Sequence, residues 1–256
     1  TVDPTNDFSS SQVVYAAIGA TVEDGANNAI SATTINFTTA DVAAPATPTG
    51  LVATAGNAKV VLTWNSNTES DLASYKVYGG TSASPTTVLS TISKGTDTYT
   101  HTSLTNGTPY YYRISAVDTA SNESDKTSDV NATPDGIAPT ISSVSLASDN
   151  STIAVTFSEA VYNTNGGSGS LEVADFAFSI SGGTASLSSA TPNSISSSGN
   201  VYTLGISLSG TPNGSETLTV NPVDASIYDA AGNEASTSQS NNTAKLNDKL
   251  APTITF

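Results

Sequence analysis

The chain has 256 residues, 37% hydrophobic and 11% charged, a balance that suits folded β-rich modules and excludes a charge-rich disordered chain. Seven Lys and Arg face 22 Asp and Glu, and the net charge of −15 repels phosphate backbones and anionic headgroups, which excludes nucleic acid as a partner and favours cations. With no Cys and no Met, disulfides and thiol ligands are excluded, and no apolar stretch approaches the ~18 residues of a membrane-crossing helix, so no membrane insertion is expected.

In chain order, residues 1–44 hold β-type runs around the turn-like stretch Asp24-Gly-Ala-Asn-Asn28. The linker motif Asp41-Val-Ala-Ala-Pro45 follows, where Pro removes a backbone donor and stiffens the approach to the run TGLVATAG. Alternating apolar and polar residues then mark strands such as Lys59-Val-Val-Leu-Thr-Trp64 and, further on, Thr152-Ile-Ala-Val-Thr-Phe157. Gly, Asn, Pro and Ser punctuate these runs, and no amphipathic helix is found. Gly- and Ser-rich stretches at 165–170 and 181–200 read as long loops. The expected fold class is all-β, with tandem immunoglobulin-like β-sandwiches joined by short Pro-containing linkers.

Two motifs recur in fixed order. Asp-x-x-Ala-Pro occurs at Asp41–Pro45, Asp135–Pro139 and Asp248–Pro252, and Asp-x-x-x-Asn lies upstream of each at Asp24–Asn28, Asp118–Asn122 and Asp229–Asn233. The linkers place boundaries near 44, 138 and 251. Residues 1–44 are then the C-terminal part of one module, 45–136 and 137–250 are complete domains, and 251–256 begin another.

Residues 45–136 carry Trp64 at the end of the second strand, Tyr75 in SYKVY, and Leu104-Thr-Asn-Gly-Thr-Pro-Tyr110 before YYRISAVD. This segment resembles a fibronectin type III domain. The resemblance implies a core tryptophan at Trp64 and a tyrosine corner at Tyr110, with the ring buried and the hydroxyl bonded to nearby backbone. Residues 137–250 open with IAPTISSVSL, continue through IAVTFSEAV around Glu159 and close with SIYDAAGNEAS around Asp229. They resemble the bacterial Ig-like modules of surface-layer proteins and large adhesins. Residues 1–44 parallel the last third of that module and hold only its final two strands, so partner strands are expected from elsewhere in the chain or from another chain.

In the immunoglobulin strand order, the linker before a sandwich meets that sandwich's own B–C and F–G loops. Asp41 is therefore expected to approach Asp118 and the acidic loop carrying Glu69 and Asp71, and Asp135 to approach Glu159 and Asp229. Converging carboxylates repel unless a cation neutralises them, and calcium takes six to eight oxygen ligands in flexible geometry. Calcium is the expected cofactor, although EF-hand spacing is absent and the bland reading has these side chains capping turns in solvent. Asp24 and Asp248 are expected to belong to incomplete junctions.

His101 is the single histidine, in the strand-edge sequence DTYTHTSLT, so no histidine-based metal site or Ser-His-Asp triad can be built without it. Tyr110, Tyr111 and Tyr112 alternate faces and make no sugar-stacking platform. The Asn-x-Ser/Thr sequons at Asn36, Asn106, Asn122, Asn131, Asn150, Asn213 and Asn241 permit glycans without arguing for them. The chain therefore reads as non-enzymatic, a structural or adhesive part of a prokaryotic cell surface or extracellular filament. Its expected partners are copies of itself or other surface proteins joined by strand pairing. The alternative is a spacer region of a secreted polysaccharide-degrading enzyme.

Overall fold

The computed structural model describes residues 13–18, 25–28 and 33–252. Strands β1 (Val13–Ile18) and β2 (Thr33–Thr38) form an antiparallel pair running from Val13 opposite Thr38 to Ile18 opposite Thr33. The remaining chain is all-β, in tandem Ig-like sandwiches joined by short Pro-containing linkers; its one helical element among the described residues is a 3-10 turn at Val173–Asp175. Among these residues no helix is long and apolar enough to cross a membrane. Internal contacts divide the chain into two compact units. Among the described residues, one comprises those up to Val52 with Thr63–Tyr99 and Tyr110–Val130; the other comprises Ala53–Leu62, Thr100–Pro109 and those from Asn131 on.

The next seven strands are β3 (Thr49–Gly56), β4 (Lys59–Asn65), β5 (Leu72–Gly80), β6 (Val88–Ser93), β7 (Thr98–Thr102), β8 (Tyr110–Asp118) and β9 (Val130–Ala132). They form a three-stranded sheet in the order β3-β4-β7 and a four-stranded sheet in the order β6-β5-β8-β9. Strand period explains the burial: in β4, Val60, Leu62 and Trp64 are buried while Lys59, Thr63 and Asn65 face solvent. In the central pair, Tyr75 lies opposite Ala116 and Val77 opposite Ile114, and all four side chains are fully buried. Each large apolar side chain so buried contributes about 1.5–3 kcal/mol relative to exposure. Trp64 packs edge-on against Tyr75 with ring centroids 5.4 Å apart, and the Tyr75 hydroxyl accepts the Asn67 N–H at 2.7 Å. Tyr110 departs from expectation, because its ring is only half-buried at the mouth of β8. Two residues on, and on the same face, Tyr112 is the fully enclosed tyrosine, since it sits deeper in a central strand.

The following strands are β10 (Ile141–Leu146), β11 (Thr152–Phe157), β12 (Phe176–Ser181), β13 (Ser186–Leu187), β14 (Ile195–Ser198), β15 (Val201–Gly205), β16 (Leu208–Ser209), β17 (Thr217–Pro222) and β18 (Thr243–Lys245). Sheets run β10-β11-β15-β14 and β12-β17-β18, with a small β13-β16 ladder. Phe157, Phe176 and Tyr202 meet at the centre with ring centroids 5.9–6.3 Å apart, surrounded by Ile153, Val155, Leu204, Leu218, Val220 and Ile227. The stretch 181–200, expected as loop, contains β13 and β14. Leu187 and Ile195 pack against the core, and backbone pairing with β16 and β15 turns Ser-rich sequence into edge strand.

Candidate functional site

The two Asp-x-x-x-Asn motifs that lie wholly among the described residues, Asp118–Asn122 and Asp229–Asn233, fold into the same loop. In the first, the Asp118 N–H donates to the Asn122 carbonyl at 3.1 Å and the Ser121 N–H returns to the Asp118 carbonyl at 3.2 Å. In the second, Asp229 and Asn233 pair at 3.0 Å and the Gly232 N–H returns to Asp229 at 3.3 Å. The fourth residue takes a left-handed conformation in both, Ser121 at φ 74 and Gly232 at φ 84, which closes the loop and folds the Asn side chain back over the Asp. Asn122 Nδ2 donates to Asp118 Oδ2 at 2.8 Å, and Asn233 Nδ2 donates to Asp229 Oδ2 at 2.7 Å. The same amides also donate to the linker, to the Asp41 carbonyl at 3.1 Å and to the Asp135 carbonyl at 3.1 Å.

Each linker Asp is fixed in turn by its own backbone. The Ala43 N–H donates to Asp41 Oδ1 at 3.1 Å, and the Ile137 N–H donates to Asp135 Oδ1 at 2.9 Å. A third carboxylate completes each group, from the loop after β4 (Asp71) and from the loop after β11 (Glu159). Asp41, Asp71 and Asp118 each place an oxygen within 4.8 Å of the others, and so do Asp135, Glu159 and Asp229. The second group borders a recess of about 390 Å³ shared with Ala53, Thr54, Ala55, Thr133, Ala230 and Ala231. Burial, together with the charges of Asp229 and Asp135, pushes the Glu159 carboxyl above its ordinary range.

Six of the seven residues read from the sequence are therefore gathered into two triads. Glu69 is the exception. Its carboxylate accepts the Ala46 N–H at 2.7 Å, and that bond, ahead of burial in the opposite sense, holds its pKa below the ordinary carboxylate range; the side chain is spent on the backbone leading into β3. Asp24 lies outside the described residues. Asp248 repeats the linker turn, accepting the Leu250 N–H at 2.8 Å, but among the described residues it belongs to no group of three carboxylates. The part sequence reasoning missed is the Asn of each motif as the anchor of the linker carbonyl; the motif's recurrence was the available signal.

The donor sets suit a hard cation, since every ligand atom offered is a carboxylate oxygen and neither triad contains His or Cys. His101 sits half-buried on the sheet-edge strand β7, where burial lowers its basicity, and belongs to neither triad.

A three-stranded β3-β4-β7 sheet with a four-stranded β6-β5-β8-β9 sheet, a core Trp64 on the second strand and a tyrosine-led sixth strand together decide the first complete sandwich. Residues 49–132 belong to the fibronectin type III domains. The strands of 141–245 form an Ig-like sandwich beside this fibronectin type III segment in sequence. No protein-family pattern matches the chain. The chain is 42% identical over 103 residues to exoglucanase B of Cellulomonas fimi and 41% identical over 100 residues to an amylopullulanase of Thermoanaerobacterium saccharolyticum. These stretches are 38% and 37% of this chain but only 9% and 7% of those enzymes, so the chain spans a small part of the curated relatives it matches. A solved Fn3-like protein from Clostridium thermocellum is 32% identical, covering 37% of this chain and 98% of that one, with a TM-score of 0.32. The fibronectin type III fold of residues 49–132 is that of a non-catalytic domain.

Proposed function

We propose that this chain is an extracellular spacer segment of a polysaccharide-degrading enzyme, in which calcium at the two carboxylate triads fastens each linker to the sandwich that follows it. The observation that carries the mechanical part is the recurrence of one arrangement on two sandwiches of different strand order: linker Asp, loop Asp, a third carboxylate, and an Asn amide bridging loop to linker carbonyl. The identity to an exoglucanase and an amylopullulanase supports the enzyme context over a surface layer, adhesin or filament.

Asp41, Asp71 and Asp118 would hold one ion, and Asp135, Glu159 and Asp229 another. A bound cation supplies positive charge that three close carboxylates otherwise lack. The Asn amides orient the loop carboxylates and fix the linker carbonyls with or without it. A linker so fastened loses conformational freedom, which is what a spacer needs to set reach.

The test is to read the rest of the same reading frame and assay the whole protein with residues 45–250 removed. A polysaccharide-degrading domain in that frame, with activity on soluble oligosaccharide kept and activity on insoluble polymer reduced, is expected. Many more sandwich repeats and a surface anchor, with no catalytic domain, would overturn the enzyme context.

A further inference from the structure

Three Asn-Gly pairs occur, at Asn106-Gly107, Asn165-Gly166 and Asn213-Gly214. Asn-Gly is the dipeptide in which the following backbone nitrogen is least hindered from reaching the side-chain carbonyl carbon, because Gly has no Cβ. The structure separates the three. At the first pair, Gly107 N–H donates to the Pro134 carbonyl at 2.8 Å, while Asn106 Oδ1 accepts the Ala58 N–H at 2.8 Å and its Nδ2 donates to Asn57 Oδ1 at 3.0 Å. Nucleophile and electrophile are both tied down. At the third, Asn213 Oδ1 accepts the Ser215 N–H at 3.0 Å, and a Cβ on Gly214 would lie 3.3 Å from Asp248 Cβ, so that pair is packed.

Asn165 and Gly166 stand at the exposed tip of a turn closed by the Thr164 N–H on the Ser168 carbonyl at 3.1 Å. Gly166 has φ 100 and open space about it, and neither its N–H nor the Asn165 amide makes a hydrogen bond among the described residues. The Asn165 side chain nevertheless has a defined place. A Cβ on Gly232 would fall 2.3 Å from Asn165 Oδ1, so the amide lies over the loop that carries Asp229 and Asn233.

We propose that Asn165 is a site of spontaneous deamidation that adds a carboxylate beside the Asp229 loop. The Gly166 nitrogen gives up its proton to solvent and bonds to Asn165 Cγ, the Cγ–Nδ2 bond breaks, and ammonia leaves. Water then opens the resulting succinimide at either carbonyl, yielding aspartate or isoaspartate, with no oxidant or reductant involved. The product places one further negative charge against a loop that already faces Asp135 and Glu159. This inference does not depend on calcium or on the enzyme context.

The test is peptide mapping by mass spectrometry of the full chain aged in warm, mildly alkaline buffer, with isoaspartate detection and a urea-unfolded control. In the folded chain the Asn165 peptide is expected to convert several-fold faster than those of Asn106 and Asn213, with the three rates converging in urea. Asn165→Gln should remove the leading conversion and leave the other two unchanged. Equal rates at the three sites in the folded chain, an earlier conversion at Asn106 or Asn213, or no conversion of Asn165 while the unfolded control reacts, would each overturn the proposal.

Discussion

Substituting Glu123 by Gln should remove a measurable part of the stability of the unit that contains it, and should do so only above acid pH. Glu123 accepts hydrogen bonds from Lys76 Nζ at 2.6 Å, from Ser115 Oγ at 2.6 Å and from the Tyr78 hydroxyl, at the surface of the β5–β8 pair. Burial alone would raise its pKa, but these donors and the Lys76 charge outweigh it and hold the carboxyl at about 2 against an ordinary 4.5. That gap corresponds to about 3 kcal/mol, and solvent reaching a carboxylate still 26% exposed reduces it to about 1–2 kcal/mol. Because the folded value is depressed, the contribution is complete above the unfolded value near 4.5 and is lost as pH falls through about 2. Trp64 is the single tryptophan and lies in the same unit, so its fluorescence during urea unfolding of the full chain reports this region. Wild type should exceed Glu123→Gln by about 1–2 kcal/mol at neutral pH, and the difference should shrink between about pH 4.5 and 2. A difference of zero at neutral pH, or one of constant size down to pH ~2, would refute the reasoning.

Tyr75→Phe keeps the buried ring but strips the acceptor from the Asn67 N–H, and should cost about 1–2 kcal/mol in the same fluorescence assay. Gly183→Ala forces a Cβ to 2.1 Å from Glu216 Cδ at a residue with φ 62, and should destabilise by about 2 kcal/mol or more. Its effect should appear as faster hydrogen exchange in β17 and β18, since Glu216 accepts the N–H groups of Thr184, Ala185 and Asn213 while its carbonyl accepts that of Leu246. Asn233→Ala should free the Asp135 carbonyl and speed exchange in residues 229–235 while leaving the 118–122 loop unchanged.

The β-sandwich architecture was legible because strand period shows directly in runs such as Lys59–Trp64, where alternate residues face the core. The triads were legible because two motifs recur at matched positions and the immunoglobulin strand order carries linker and loops to one pole. Composition misled where packing depends on isolated residues: Leu187 and Ile195 recruit β13 and β14 from Ser-rich sequence. Buried carboxylates such as Glu216 escaped notice because backbone donors from 184, 185 and 213 satisfy it, and backbone donors leave no mark in sequence. Asn150, read as a permissive sequon, is buried and bonded to Asn247. Glu69 and Asp71 are near neighbours in one acidic loop, and only the fold shows that one faces backbone and the other a triad.

The claim that linkers are fastened through cations is tested most directly by calorimetric titration of calcium into the chelator-stripped full chain, beside a variant carrying Asp71→Asn and Glu159→Gln. Neither of those carboxylates accepts a hydrogen bond among the described residues, so the substitutions remove charge without disturbing the loops. Wild type should bind with a Kd on the order of 0.1–1 mM and melt at a higher temperature with calcium, and the variant should do neither. Binding of equal strength in both proteins, or no binding in either, would contradict the account.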